Sequence, residues 1–195
     1  MTKSQAEGSD PRGRLVVVSG PSGVGKTAVV DRLLRDRRFG RTVTATTRAP
    51  RGGERDGIDY HFLDRAEFER RLVAGWFLEH ADVYGSLYGT PREGPAAVCT
   101  SGRHCLLNVD VQGASELRRL RIEALYVFLA PPSLEELARR LAGRGFEEPE
   151  ALARRRAAVA AEMAQSSSFD LVLVNDDLET TARKLAAAVG IDLSS

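Results

Sequence analysis

The chain has 195 residues, 43% of them hydrophobic, which suits one domain with a real core and no need of a disulfide or metal staple. Lys and Arg number 28 against 27 Asp and Glu, so no whole-molecule field draws it to DNA or an acidic membrane, and any basic site must be local. Two cysteines, Cys99 and Cys105, make no disulfide framework, and no Cys/His spacing suggests structural zinc.

Residues 1–13 are polar, lack the apolar stretch of a signal peptide and read as a flexible tail before a single domain over 14–195. The aliphatic runs are strand-sized, too short to span a bilayer, so a cytoplasmic protein is the expectation. Leu15–Val18 reads as a strand buried on both faces, and Ala28–Arg37 as a helix with Val29, Val30, Leu33 and Leu34 on one side. Cys105–Val109 is a second buried strand, followed by a helix over Ala114–Arg121. Leu125–Ala130 is a third, stopped by Pro131 and Pro132, after which Ser133 and Glu136 have the spacing of a capping box. Leu171–Val174 is a fourth, before a helix over Leu178–Val189. Strands alternating with helices predict an α/β fold with a parallel sheet flanked by helices.

Two stretches break the rhythm. Residues 41–91, with short strand signals at Tyr60–Leu63 and Phe77–Val83, read as an inserted small lobe. Residues 143–156, charged and interrupted by Gly145 and Pro149, read as a mobile lid. The core is then 14–40, 104–142 and 157–195. Ser166–Ser168 reads as a loop, and Trp76 and Phe77 as core of the small lobe.

Gly20, Pro21, Ser22, Gly23, Val24, Gly25, Lys26 and Thr27 match GxxxxGK[ST] in full, between a strand and a helix. Glycines let backbone N–H groups wrap a phosphate, and the helix N-terminus adds partial positive charge. Lys26 supplies a cation for the β- and γ-phosphates, and the Thr27 hydroxyl can ligate Mg²⁺. Downstream, Arg48, Arg51 and Arg55 crowd a Gly/Pro-rich stretch that ends at Tyr60. Guanidinium forks with a tyrosine hydroxyl suit a phosphate monoester, although a solvated basic loop is an equal reading of such a cluster by itself.

Three motifs together, the glycine loop, Thr46-Thr-Arg48-Ala-Pro-Arg51-Gly-Gly-Glu54 and Tyr88-Gly-Thr90, closely resemble the guanylate kinase family from about Leu15 to the C-terminal helix. The resemblance implies ATP and GMP as partners, Mg²⁺ as cofactor, and a P-loop core carrying a GMP-binding lobe and a lid. It implies that Arg48, Arg51, Tyr60 and Tyr88 hold the GMP phosphate, with Glu54 beside them. Glu79, Thr44, Thr90 and Asp110 then fall at the base and acceptor nucleotide. The chemistry of Glu79 agrees: guanine presents N1–H and its 2-amino group as adjacent donors, and a carboxylate accepts both, whereas adenine offers an acceptor at N1. Arg140, Arg144 and Arg155 match the family's three late arginines, able to stabilise charge on the transferred phosphoryl group. Asn175 begins an Asn-Asp-Asp stretch that the resemblance puts near the donor adenosine; a plain turn with a helix N-cap is the bland reading.

The chain departs from the family at Asn108, where an acid is usual before Asp110, which puts a metal role there in doubt. Thr44 stands for Ser and Ser86 for Asn in the base pocket. His61, His80 and His104 show no metal spacing, and the cysteines read as small hydrophobes. The expectation is ATP-to-GMP phosphoryl transfer. A non-catalytic guanylate-kinase-like binding module is the alternative that Asn108 favours and the intact glycine loop opposes. A kinase for another purine monophosphate is the alternative left by Ser86 and Thr44. No nucleic-acid partner is expected, because the basic residues lack interleaved aromatic platforms.

Overall fold

A computed structural model describes residues 13–83, 85–142 and 159–193. In chain order they form β1 (Leu15–Ser19), α1 (Lys26–Leu33), β2 (Phe39–Arg41), β3 (Thr44–Thr46), β4 (Tyr60–Phe62), α2 (Arg65–Val73), β5 (Phe77–Val83), β6 (Ser86–Pro91), α3 (Glu93–Thr100), β7 (His104–Asn108), α4 (Val111–Arg119), β8 (Leu125–Ala130) and α5 (Leu134–Ala142). Helical residues 159–164 (α6), β9 (Leu171–Val174) and α7 (Leu178–Ala187) complete the set.

Five strands form an all-parallel sheet in the order β2-β7-β1-β8-β9. Its strands are apolar at successive positions because both faces are covered. Along β1, Val16 and Val18 enter a cluster with Val29, Leu33 and Leu185 from α1 and α7, while Leu15 and Val17 enter another with Ala114 and Leu117 from α4. Residues of period two thus feed two hydrophobic layers, and Val16, Val17 and Val18 are fully buried. From β7, on one side of β1, the chain crosses to β8 on the other. The carboxyl ends of these strands flank the crevice where parallel sheets take ligands.

The second sheet has the order β4-β3-β6-β5, with β3 and β4 parallel and the other pairs antiparallel. Ala45, Phe68 and Phe77 form its buried core, Trp76 packs against them, and the Phe68 and Phe77 rings stack at 4.3 Å. A Cβ on Gly89 would lie 2.5 Å from the Phe77 ring, so β6 lies against that ring only with glycine there. Across the molecule β5 meets α4.

Several expected boundaries move for local reasons. Helix α4 starts at Val111, not Ala114, because Asp110 caps it: its carboxylate accepts the Gly113 N–H at 2.7 Å. Helix α1 starts directly on the glycine loop at Lys26 and stops at Leu33, short of Arg37. The box at α5 closes on one side only. Ser133 Oγ accepts the Glu136 N–H at 3.1 Å, but the Glu136 carboxylate turns to Arg139 and to Arg140, 2.8 Å away. Ser166–Ser168 is a 3₁₀ turn rather than an irregular loop. Helices α2 and α3 and strands β2, β3 and β6 complete what the sequence pattern left undivided. The expected lid at 143–156 lies outside the described residues. No helix among the described residues is long and apolar enough to cross a membrane.

Candidate active site

The glycine loop leaves β1 at a point where side chains have no room. Gly20 has φ 138°, and a Cβ there would lie 2.2 Å from the Leu129 carbonyl oxygen. Gly25 caps α1 with φ 103°, and a Cβ there would lie 2.5 Å from the Asn175 amide nitrogen. Val24 is fully buried in the core and pins the loop between them. No side chain caps α1 and no acid occupies its first turn, so its N–H groups and partial positive charge are left for an anion.

Lys26 is half-buried with its ammonium folded into the loop, donating to the carbonyls of Gly20 at 2.6 Å and Pro21 at 3.0 Å. Burial pulls its pKa down to about 8, against the opposing pull of Glu162 and Asp110. Burial likewise raises the pKa of Glu162, on α6, against the attraction of Lys26. Both groups move toward neutrality, so desolvation outweighs their mutual attraction. Glu162 is absent from the sequence-based site; in sequence it is one more charge on a helix, and its proximity to Lys26 is purely tertiary. Thr27 is exposed, and its Oγ1 accepts a hydrogen bond from Asn108 Nδ2 at 3.3 Å.

Asn175 is buried beneath the loop, where its side-chain amide donates to the Val24 carbonyl at 2.8 Å. Its backbone carbonyl accepts from Arg140 at 3.3 Å, and Arg140 also binds Glu136. Asn175 thus braces the glycine loop from below. Arg144 and Arg155 lie outside the described residues.

The second sheet gathers the basic residues. Arg48 donates from Nε to the Tyr88 hydroxyl at 3.2 Å and from its terminal nitrogen to Glu54 at 2.9 Å, and lies over the Tyr60 ring at 5.4 Å. Glu54 also accepts the Arg51 backbone N–H at 2.7 Å, tying the loop to the Arg48 fork. The Arg48 guanidinium, with the Arg51 N–H, holds the Glu54 carboxyl below its ordinary value. The Tyr60 and Tyr88 rings meet edge to face at 6.2 Å. Among the described residues the exposed Arg51 guanidinium makes no hydrogen bond. Arg48, Glu54, Tyr60 and Tyr88 therefore form one cluster, which Arg51 joins through its backbone N–H while its guanidinium stays exposed. An open cleft lined by Thr27, Asp31, Arg35, Arg41, Glu54 and Tyr60 joins this cluster to α1.

Glu79 stands on β5, 6% exposed, and accepts the Thr90 hydroxyl proton at 2.6 Å. The Thr90 proton is thus committed to Glu79 in this structure. Thr44 is half-buried on β3, beside Tyr60. Burial pushes the Glu79 carboxyl up to about 7, the Thr90 hydrogen bond opposing and nearby Asp110 adding to the rise. A Cβ on Gly113 would lie 2.9 Å from Glu79 Oε2, so glycine at this place lets the carboxylate lie against α4. Asp110 acts on the ionisation of both Lys26 and Glu79 and marks where the two halves of the site converge.

A glycine loop after the central strand of a parallel sheet, opening a helix with an enclosed lysine, defines a P-loop nucleotide-binding protein. The chain matches the guanylate kinase family over residues 12–190. It is 47% identical to a guanylate kinase of Alkalilimnicola ehrlichii over 90% of this chain and 87% of that one. It is 48% identical to one of Frankia casuarinae over 89% and 95% respectively. The crystal structure of guanylate kinase from Anaplasma phagocytophilum superposes with a TM-score of 0.76 at 34% identity, covering 93% of this chain and 86% of that one. This chain belongs to the guanylate kinase family.

Proposed function

We infer that the chain transfers the γ-phosphoryl group of ATP to GMP, giving ADP and GDP. The observation that carries this reading is an open cleft faced both by Thr27 of the glycine loop and by Glu54 and Tyr60 of the basic cluster. One anion site lies at a helix N-terminus, the other at a guanidinium fork, and in-line transfer needs two phosphates brought together.

In this reading the loop amides of 20–25 and Lys26 hold the donor phosphates, and Lys26 exchanges its two loop carbonyls for phosphate oxygens. Arg48, Arg51, Tyr60 and Tyr88 hold the GMP phosphate, with Glu54 keeping the Arg48 fork in plane. The GMP phosphate is itself an anionic nucleophile, so no general base is required. Glu79 accepts guanine N1–H and the 2-amino group, with Asp110, Thr44 and Thr90 around the base. Arg140, and Arg144 and Arg155 of the lid, stabilise charge on the phosphoryl group in flight and exclude water as a competing acceptor. Asn175 supports ATP binding through the Val24 carbonyl that it braces.

The donor set suits Mg²⁺. Thr27 offers one hard hydroxyl oxygen, and the described residues contain no group of three or more His, Cys, Asp or Glu able to hold a metal alone. Thr27 Oγ1 would hold Mg²⁺ together with the nucleotide phosphates. When bound, it neutralises charge across the β- and γ-phosphates. This reading assigns the protein to the cytoplasm, where both nucleotides are available.

The test is ADP production from ATP and Mg²⁺ with GMP, dGMP, IMP, AMP and UMP in turn. Turnover confined to GMP and dGMP is expected. GMP binding without turnover would replace the reading with that of a binding module, and preference for another monophosphate would overturn the role of Glu79.

A further inference from the structure

Asn108 ends β7 beside Val18 of β1, exposed at the mouth of the glycine loop, with its amide on Thr27 Oγ1. It is neutral. Asp110, two residues on, has one carboxylate oxygen committed to the Gly113 N–H, and both Asp110 and Glu162 act on Lys26. We propose that Asn108 is a specificity-determining residue that lets the donor site accept nucleotide with or without its divalent cation. The proposal rests on the reading of the glycine loop as the ATP site.

The argument lies in what a Thr hydroxyl needs in two states. Its oxygen carries two lone pairs and one proton. The Asn108 N–H donates to one lone pair, an arrangement compatible with metal-free nucleotide. With a cation on the oxygen, the hydroxyl proton needs an acceptor on the far side. The Asn108 carbonyl supplies it after a half-turn of the amide. A carboxylate at this position accepts the hydroxyl proton in either state but cannot donate to the oxygen. It also adds a negative charge next to the site of the donor phosphates, which repels them when no cation intervenes. The amide pays neither penalty, and Lys26 with the uncapped N-terminus of α1 supplies positive charge in both states.

The experiment is calorimetric titration of the full chain with ADP, once in excess EDTA and once in excess MgCl₂, for wild type, Asn108→Asp and Asn108→Ala, each checked by thermal melting. Wild type is expected to bind the two forms within about threefold of each other. Asn108→Asp should shift the ratio toward the magnesium form by about tenfold or more, about 1.4 kcal/mol, mainly by weakening metal-free ADP. Asn108→Ala should keep the wild-type ratio, since it adds no charge. A ratio unmoved in Asn108→Asp, or a wild type that already prefers the magnesium form by more than about tenfold, overturns the proposal. No ADP binding by wild type in either buffer refutes the donor-site reading, and the proposal falls with it.

Discussion

Replacing Glu79 by Gln separates what this carboxylate does for the fold from what it does for the substrate. Glu79 is 6% exposed, hydrogen-bonded to Thr90, and its pKa is pushed from 4.5 to about 7 by burial. The folded protein therefore holds this proton more tightly than the unfolded chain. The group costs nothing below pH 4.5, and its cost grows as pH rises through 7. At about 1.4 kcal/mol per tenfold, the full cost above pH 8 is about 3 kcal/mol. Gln keeps an acceptor for the Thr90 hydroxyl and carries no charge. Glu79→Gln should thus be more stable than wild type at pH 8, by up to about 3 kcal/mol, and equal to it near pH 4.5. Urea denaturation at the two pH values reads this directly. The same variant faces guanine with one donor where two acceptors stood, so GMP kcat/KM should fall about a hundredfold or more. In wild type, GMP kcat/KM should also decline as pH falls below about 7, where Glu79 protonates. The GMP phosphate titrates near about 6 as well, but equally for both proteins, so their ratio isolates Glu79. Equal stabilities at pH 8, or a loss of GMP kcat/KM under about tenfold, would refute the reasoning.

Arg48→Lys removes a planar fork that meets Tyr88 and Glu54 at once; initial-rate kinetics should show KM for GMP rising about tenfold or more with KM for ATP unchanged. Gly25→Ala drives a Cβ to 2.5 Å from the Asn175 amide at a left-handed φ. It should lower stability by about 1–3 kcal/mol in urea and weaken ADP binding by calorimetry. Lys26 loses its proton at about 8 in the free protein. The pH profile of kcat/KM for ATP, which reports the free protein, should therefore fall above that value as the positive charge disappears.

What could be read in the sequence follows what is locally encoded. The parallel strands are legible because residues buried on both faces leave an unbroken apolar run, as at Leu125–Ala130, which matches β8 end to end. The glycine loop is legible because its backbone demands fall on adjacent residues. The second sheet is harder, since its three-residue strands carry no period and α2 buries only Phe68. The start of α2 is locally encoded, in Asp64, whose carboxylate accepts the Glu67 N–H at 2.7 Å. Helix α3 hides behind Gly94 and Pro95, which suggest a loop although proline fits a first helical turn, where its missing N–H has no partner to lose. Glu162 beneath Lys26 and Asn175 beneath Val24 join segments distant in sequence, and no local pattern encodes such a meeting.

The two ends of the site share a physical design that only the structure reveals. Lys26 and Glu79 carry opposite charges, and burial drives each toward its neutral form, to about 8 and about 7. Among the described residues neither has a strong opposite charge in contact: Lys26 rests on carbonyls and Glu79 on a hydroxyl. Arg48 differs, being satisfied by Glu54 in the free protein. In the proposed reading, each of the two groups meets what one nucleotide brings, phosphate oxygens for Lys26 and the guanine donor pair for Glu79. Binding therefore relieves a cost already present in the free fold, which makes discrimination steep. A nucleotide lacking the matching group leaves a buried charge unpaired rather than merely forgoing a contact.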